Sequence, residues 1–386
     1  MSAPTLPRPP QESSARSRHE LLAQRVQLEI AERFAEREAA VAVHGEDFAH
    51  LWRLTGELAQ GGKLLRPMLF VLAYRAMQEQ TGRRLVPDDE ILALASSLEL
   101  LHFSFLLHDD VIDGDMYRRG HLNLVGTLSA ERETGRTERD DAKPTPEGLH
   151  WGQTGAILAG NLLLSQVHQI FARLDAPAAV RTRALELLDD AITRTVAGEH
   201  ADVALSDGVS SPDLDSILSA AERKTAVYTF ELPLRLAAVL ADAPEGWHGT
   251  LSAAARHLGL AFQLQDDYLS TFGDASRHGK DPHSDLREGK ETAIIAFARL
   301  TSAWNAVKCS FGDRSLTEEA AERAVAALRA SGADRFVLGL IAEHREALAT
   351  VLDECAARAT DDAPALPAAL CSLIGELDAR LVGRAW

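Results

Sequence analysis

Two short acidic strings in this chain have the residue types and the spacing to hold metal ions. The first, Asp109-Asp110-Val111-Ile112-Asp113, closes an apolar run that begins at Ile91. On a helix, Asp109 and Asp113 fall on one face, one turn apart. Carboxylates crowded on a half-dry face repel one another until protons or cations relieve them. Hard oxygen donors of this kind suit Mg²⁺, which takes one or two carboxylates and leaves its other positions to water and substrate phosphates. The second string, Asp266-Asp267, also ends an apolar helical run. Facing each other, the two strings would clamp cations on a shared diphosphate. Lys63, Arg66, Arg118, Arg119, Lys224, Lys280 and Lys290 stand where such an anion would need them. The first acids alone would equally suit a solvated turn; the second string and the placed cations favour the metal reading.

The elements that must position these residues read as helices. Apolar residues recur at helical spacing in the stretches from Ile91 and from Ala179, and no long period-two pattern competes with them. Hydrophobic residues make up 46% of the 386 and aromatics only 5%, with Ala and Leu dominant, a mixture that favours helix. An all-α, single-domain helical bundle over 19–386 is expected, after a polar, Pro-rich tail at 1–18 that is read as disordered. Ser211-Pro212 and Ser315 with Glu318 look like helix starts. The polar stretches 131–148 and 273–291 follow the two acidic strings and read as loops at the mouth of a site; 206–211 reads as a plain connection.

Composition also narrows function. With 40 basic against 57 acidic residues, a net charge of −17, a nucleic-acid partner is not expected, because such binding rests on phosphate neutralisation. Cys309, Cys355 and Cys371 are odd in number and show no CxxC spacing, so they read as reduced structural residues. The opening residues have no apolar core, hence no secretory signal or membrane anchor is expected, and a cytoplasmic location is.

In order along the chain stand GGKLLRP at 61–67, DDVID with RRG over 109–120, AILAGN at 156–161, GEHAD at 198–202, Lys224-Thr225, QLQDD at 263–267, and GK with DLREGKET over 279–292. In these motifs the chain resembles the trans-isoprenyl diphosphate synthases, or polyprenyl synthetases, from about Gly61 to Lys290. The resemblance implies a helical fold around a central cavity and a prenyltransferase that joins an allylic diphosphate to isopentenyl diphosphate by Mg²⁺-assisted ionisation. It implies catalytic roles for Asp109, Asp113, Lys224 and Asp266, with Asp110 and Asp267 completing the metal sets. Allylic diphosphate would meet Arg118, Lys224, Thr225, Gln263 and Lys280, with Lys290 beside them. Isopentenyl diphosphate would meet Lys63, Arg66, His102 and Arg119, without metal. No organic cofactor is implied, and a homodimer is.

Product length is expected to depend on Ser104 and Phe105. Phe105 lies one turn, about 5.4 Å, below Asp109 on the same face, where its ring would obstruct a growing chain. A fifteen- to twenty-carbon product is expected, geranylgeranyl diphosphate foremost. Departures from the family pattern are Ser270 for the last acid of the second motif, Asn161 for Asp, Glu199 for a common Gln, and His283 at a position often Gly. Ser270 with Asp266 and Asp274 also approximates the metal triad of class I terpene cyclases, although a cyclase has no use for a second anion site at Lys63, Arg66, His102 and Arg119. A non-catalytic subunit of a heteromeric synthase is the remaining alternative.

Overall fold

The computed structural model describes residues 11–118, 120–133, 144–273, 283–360 and 364–383. Helices α1 (Gln11–Ala42), α2 (Glu46–Leu58), α3 (Leu65–Thr81) and α4 (Asp88–Asp113) lead into a two-residue antiparallel ladder, β1 (Tyr117–Arg118) with β2 (His121–Leu122), paired Tyr117 to Leu122 and Arg118 to His121. Next come α5 (Leu124–Arg132), α6 (Pro146–Ala172) and α7 (Ala178–Ser206). A continuous rod then runs through α8 (Leu214–Ala221), a π-helical segment (Glu222–Glu231) and α9 (Leu232–Leu240). The chain continues as α10 (Glu245–Phe272), α11 (Ser284–Glu288), α12 (Ala293–Arg299), α13 (Trp304–Val307), α14 (Glu318–Ser331), α15 (Ala333–Ala357) and α16 (Ala368–Gly383). The all-α expectation holds.

Several boundaries differ from the sequence reading. Helix α1 opens at Gln11, inside the stretch read as tail. Asp213, not Ser211, caps α8, accepting from the Ser216 N–H at 2.8 Å. Thr317, not Ser315, caps α14, while Ser315 bonds back to Asp313. Small polar residues cluster before both helices, and only backbone geometry selects which side chain reaches the free N–H groups. Of the stretch 131–148, the described ends belong to helices: α5 runs to Arg132, and Thr145 caps α6.

By length and composition α4 is apolar enough to cross a bilayer, but here it is the central helix, with 61% of its apolar window buried. Its closest packing partner is α6, and α10 packs most extensively on α15. Leu94, Leu98, Leu101, Leu163, Phe171, Phe230, Leu236 and Leu258 belong to the main core. A second apolar cluster, with Leu264, Phe272, Leu286, Ile294 and Val337, lies at the C-terminal end of α10. Helix α10 therefore passes through both cores and is held at both ends.

Two glycines set the approach of the rod. A Cβ on Gly198 of α7 would lie 2.2 Å from the Lys224 backbone nitrogen, and one on Gly259 of α10 would lie 2.2 Å from the Ala226 Cβ. The π-helical segment is thus wedged between α7 and α10. Pro233, just after it, has no N–H to give the Thr229 carbonyl, which loosens the α register there.

Candidate active site

The first acidic string ends α4, and Gly114 stops the helix with φ 72°. Asp109 and Asp113 therefore sit on the last turns, at the negative end of the helix dipole, where a carboxylate is disfavoured unless a cation answers it. The second string stands near the end of α10, which closes at Phe272. Both strings thus share the same dipole disadvantage and the same need for positive charge.

One face of α4 carries His102, Phe105, Asp109 and Asp113 at helical spacing toward the π-helical segment and beyond. The His102 ring Nδ1 lies 3.2 Å from the Tyr228 hydroxyl, and the Phe105 and Tyr228 rings meet edge-on at 5.1 Å. Asp109 Oδ1 lies 3.2 Å from Lys224 Nζ, and Asp113 Oδ2 lies 3.3 Å from Lys290 Nζ. The neighbouring face turns to α6: the Ser104 hydroxyl, fully buried, donates to the Gly160 carbonyl at 2.9 Å. His108 lies over Gly160, where a Cβ would come within 2.5 Å of its Nε2. Ser104 therefore faces away from Phe105, and the glycine of AILAGN makes room for His108.

Asp110 also stands apart from the other two acids. It is 2% exposed and accepts two N–H bonds from Arg118, at 2.5 and 3.1 Å. Arg118, held in β1, reaches Asp109 as well, at 3.5 Å. The structure thus makes Asp110 an anchor for Arg118 rather than a face of the site. Burial pushes the Asp110 carboxyl up despite Arg118. It pushes Asp109 up too, but Lys224, Lys290 and Arg118 together outweigh burial and hold that carboxyl below its ordinary value. Asp113, with Lys290 opposed by Asp109, stays raised by burial.

Lys224 is held by three carboxylates from two helices: Asp109 of α4, and Glu199 Oε2 at 2.9 Å and Asp202 Oδ2 at 2.8 Å of α7. Burial alone would discharge this ammonium; the three carboxylates reverse that and raise its pKa. Glu199 is pushed up to about 7 by burial, with Lys224 opposing and Asp109 adding to the rise. Thr225, next along, donates to Gln263 Oε1 at 2.9 Å, and the Gln263 amide donates to Asp267 at 2.8 Å, tying the rod to α10. Burial drives the Asp267 carboxyl well above the usual range, and Asp285 adds to it. Lys290 also meets Glu288 Oε2 at 2.7 Å, and Asp115 is pushed up to about 6 by burial, with Glu288 and Asp113 adding to the push.

Arg66 is 9% exposed and donates to the Tyr228 hydroxyl at 3.0 Å and to Thr229 Oγ1 at 2.8 Å, its guanidinium 4.5 Å from the Tyr228 ring centre. Arg66 and His102 thus meet through Tyr228. Lys63 is exposed in a turn whose neighbours Gly61, Gly62 and Leu64 all have positive φ, and Leu64 pays steric strain there that the glycines do not. Arg119 and Lys280 lie outside the described residues.

At the second motif Ser270 is 5% exposed, and its carbonyl accepts from the His283 N–H at 3.2 Å. Ser270 is buried one turn after Asp266, and Asp274 lies outside the described residues. His283 occupies the left-handed region at φ 75°, which explains why glycine suits that position. Its Nε2 lies 3.3 Å from Glu318.

Divalent metal fits the donor set. Among the described residues no three acidic or ring donors converge as a ready-made cage, but Mg²⁺ needs only one or two carboxylates with water and phosphate oxygens. The carboxyls of Asp113, Asp115, Asp267 and Glu199 are all pushed upward, by burial first and by neighbouring carboxylates in addition, a strain that a bound cation would relieve. Glu199, Asp202, Asp285, Glu288 and Tyr228 were not assigned roles from sequence. The GEHAD acids, three residues apart, and the acids of DLREGK were the signals available. A cavity of about 480 Å³ opens elsewhere, beside the 205–212 loop, Glu291 and Arg299, and none of the acidic-motif residues line it.

Residues 50–328 match the family model for polyprenyl synthetase. The chain is 31% identical over 244 residues to a short chain isoprenyl diphosphate synthase of Methanocaldococcus jannaschii, covering 63% of this chain and 64% of that protein. It is 33% identical over 236 residues to a (2E,6E)-farnesyl diphosphate synthase of Mycobacterium tuberculosis, covering 61% and 56%. The chain therefore spans less than two thirds of these two curated relatives. A solved geranylgeranyl pyrophosphate synthase from Corynebacterium glutamicum, complexed with isoprenyl diphosphate and magnesium, superposes with a TM-score of 0.83 at 25% identity, over 94% of this chain and 98% of that one.

Proposed function

Because the chain belongs to the polyprenyl synthetase family, we propose that it is a short-chain trans-prenyltransferase that condenses an allylic diphosphate with isopentenyl diphosphate. The observation that carries this reading is the single face of α4 on which two anion-binding regions follow one another. Asp109 and Asp113, with Lys224 and Lys290 against them, stand at its end, and His102, joined through Tyr228 to Arg66, stands below. A reaction with one diphosphate needs only the first region; a condensation of two needs both.

Asp109, Asp113 and Asp266 would hold Mg²⁺, which supplies Lewis-acid charge worth several kcal/mol to the departing diphosphate. Lys224, Thr225, Gln263 and Arg118 bind and orient the allylic diphosphate, with Lys290 held beside Asp113. Arg66 and His102, with Lys63, receive isopentenyl diphosphate. Phe105 and Tyr228 lie between the two regions and keep water from an allylic cation, which water would otherwise quench. The ring of Phe105, one turn below Asp109, supports a fifteen- to twenty-carbon limit, with geranylgeranyl diphosphate as the preferred product. Because Ser104 points to α6, the length limit falls to Phe105 and Tyr228 rather than to Ser104. A homodimer is part of the same proposal, supported by Trp151, Ile157 and Leu158, which α6 leaves exposed.

The test is incubation with Mg²⁺, labelled isopentenyl diphosphate and dimethylallyl, geranyl or farnesyl diphosphate in turn, with analysis of linear and volatile products. Label in a linear fifteen- or twenty-carbon alcohol is expected after dephosphorylation. A cyclic hydrocarbon without label would replace the proposal with a cyclase, and no product from any primer would replace it with a non-catalytic subunit. Phe105→Ala should lengthen the product.

A further inference from the structure

An ammonium has three N–H donors, and Lys224 Nζ faces three carboxylates, Asp109, Glu199 and Asp202, at 3.2, 2.9 and 2.8 Å. Every donor of the proposed diphosphate-binding lysine is therefore already engaged. Glu199 and Asp202 stand one turn apart on α7 and hold Lys224 from the same side. Gly198, which has no Cβ to hold α7 off the backbone at Lys224, lets both carboxylates come this near. The second oxygen of Glu199, Oε1, is buried without a hydrogen-bond partner, so Lys224 is the group that answers this carboxylate's charge. Even with Asp109 turned to a cation, α7 retains two of the three donors.

We infer that Glu199 is a positioning residue that competes with the incoming diphosphate for Lys224 and so sets how tightly the allylic substrate is captured. This rests on the proposed function, which takes Lys224 as a diphosphate ligand. Two effects of Glu199 act in one direction: it withholds an N–H donor, and it places a negative charge beside the phosphates. A glutamine of the same shape keeps the packing and removes the charge. Isopentenyl diphosphate, on Arg66 and His102, lies outside the competition.

The experiment measures the Kd of inorganic diphosphate with Mg²⁺ by calorimetry, and the KM of both substrates, for wild type, Glu199→Gln and Asp202→Asn. Removing one like charge from beside the anion should tighten diphosphate binding and lower the allylic KM about tenfold in Glu199→Gln, with the isopentenyl KM unmoved. Asp202→Asn, which relieves the same lysine, should shift both in the same direction. Unchanged or weaker diphosphate binding in both variants overturns the inference, as does an equal change in both substrates' KM. Wild type that binds diphosphate but makes no product would sink the functional reading, while the Kd comparison would still decide the role of Glu199.

Discussion

At the first acidic motif, two carboxylates on the last turns of α4 are met by cations carried on other elements, Arg118 from β1, Lys224 from the π-helical rod and Lys290 from the turn after α11. At the second, Asp267 is held by the neutral amide of Gln263 and is repelled by Asp285 and Asp266, and the position of the family's last acid is a buried serine, Ser270. The first wall is met by three cations carried on other elements; at the second, Asp267 is met by an amide and Asp285 shares Lys290 with Asp113. The difference indicates how charge is distributed in a metal-diphosphate site. The first wall concentrates its function in Asp109 and Asp113, whereas the second spreads negative charge over Asp266, Asp267 and Asp285.

This contrast is broken most severely at Asp109. Asp109→Ala removes a proposed metal ligand and one partner each of Lys224 and Arg118, and turnover should fall at least about 10³-fold; steady-state rates at saturating Mg²⁺ check it. Asp266→Ala should cost less, about 10²-fold, because Asp267 and Asp285 keep the local field negative. Equal losses in the two variants would erase the asymmetry. Ser270→Asp restores the acid common in the family yet places it in a buried position, so it should destabilise the fold by about 2 kcal/mol or more. Urea unfolding reads that loss, and rate against Mg²⁺ concentration should show no gain in metal affinity.

The smallest expected effect is on pH dependence in the presence of chelator. Asp115 and Glu199 are raised to about 6 and about 7 from ordinary values of 3.8 and 4.5. Between those values the folded chain holds protons that the unfolded chain has released, so stability falls as pH rises. The contribution is complete below about pH 4 and is lost on passing through about 6 and 7. Melting temperature should therefore decline from pH 5 to pH 8, and Glu199→Gln should flatten the upper part of that decline.

Much of the first wall was legible because one helix carries it. A four-residue spacing places Asp109 over Phe105 and Asp113 over Asp109, and the apolar run before them shows which helix is central. The same pattern could not separate Asp110 or Ser104 from their neighbours: a step of one residue turns a side chain to another partner, and only the positions of Arg118 and α6 reveal which. The second wall was harder to read because its charge comes from residues on two elements, Asp266 and Asp267 on α10 and Asp285 on α11. The π register of the rod, which aims Lys224 at α4 and α7, depends on the wedge between Gly198 and Gly259 and on Pro233. No spacing in the local sequence announces it.

The most direct test of the central claim is diffraction from crystals grown with Mn²⁺ and a non-reacting allylic thiodiphosphate, recorded at the manganese edge. The account predicts anomalous peaks about 2.1 to 2.2 Å from carboxylate oxygens of Asp109, Asp113 and Asp266, with the diphosphate between the two walls and Asp110 still on Arg118. Peaks confined to one wall, or metal bound through Asp110 while Asp109 and Asp113 keep their lysines, would contradict it.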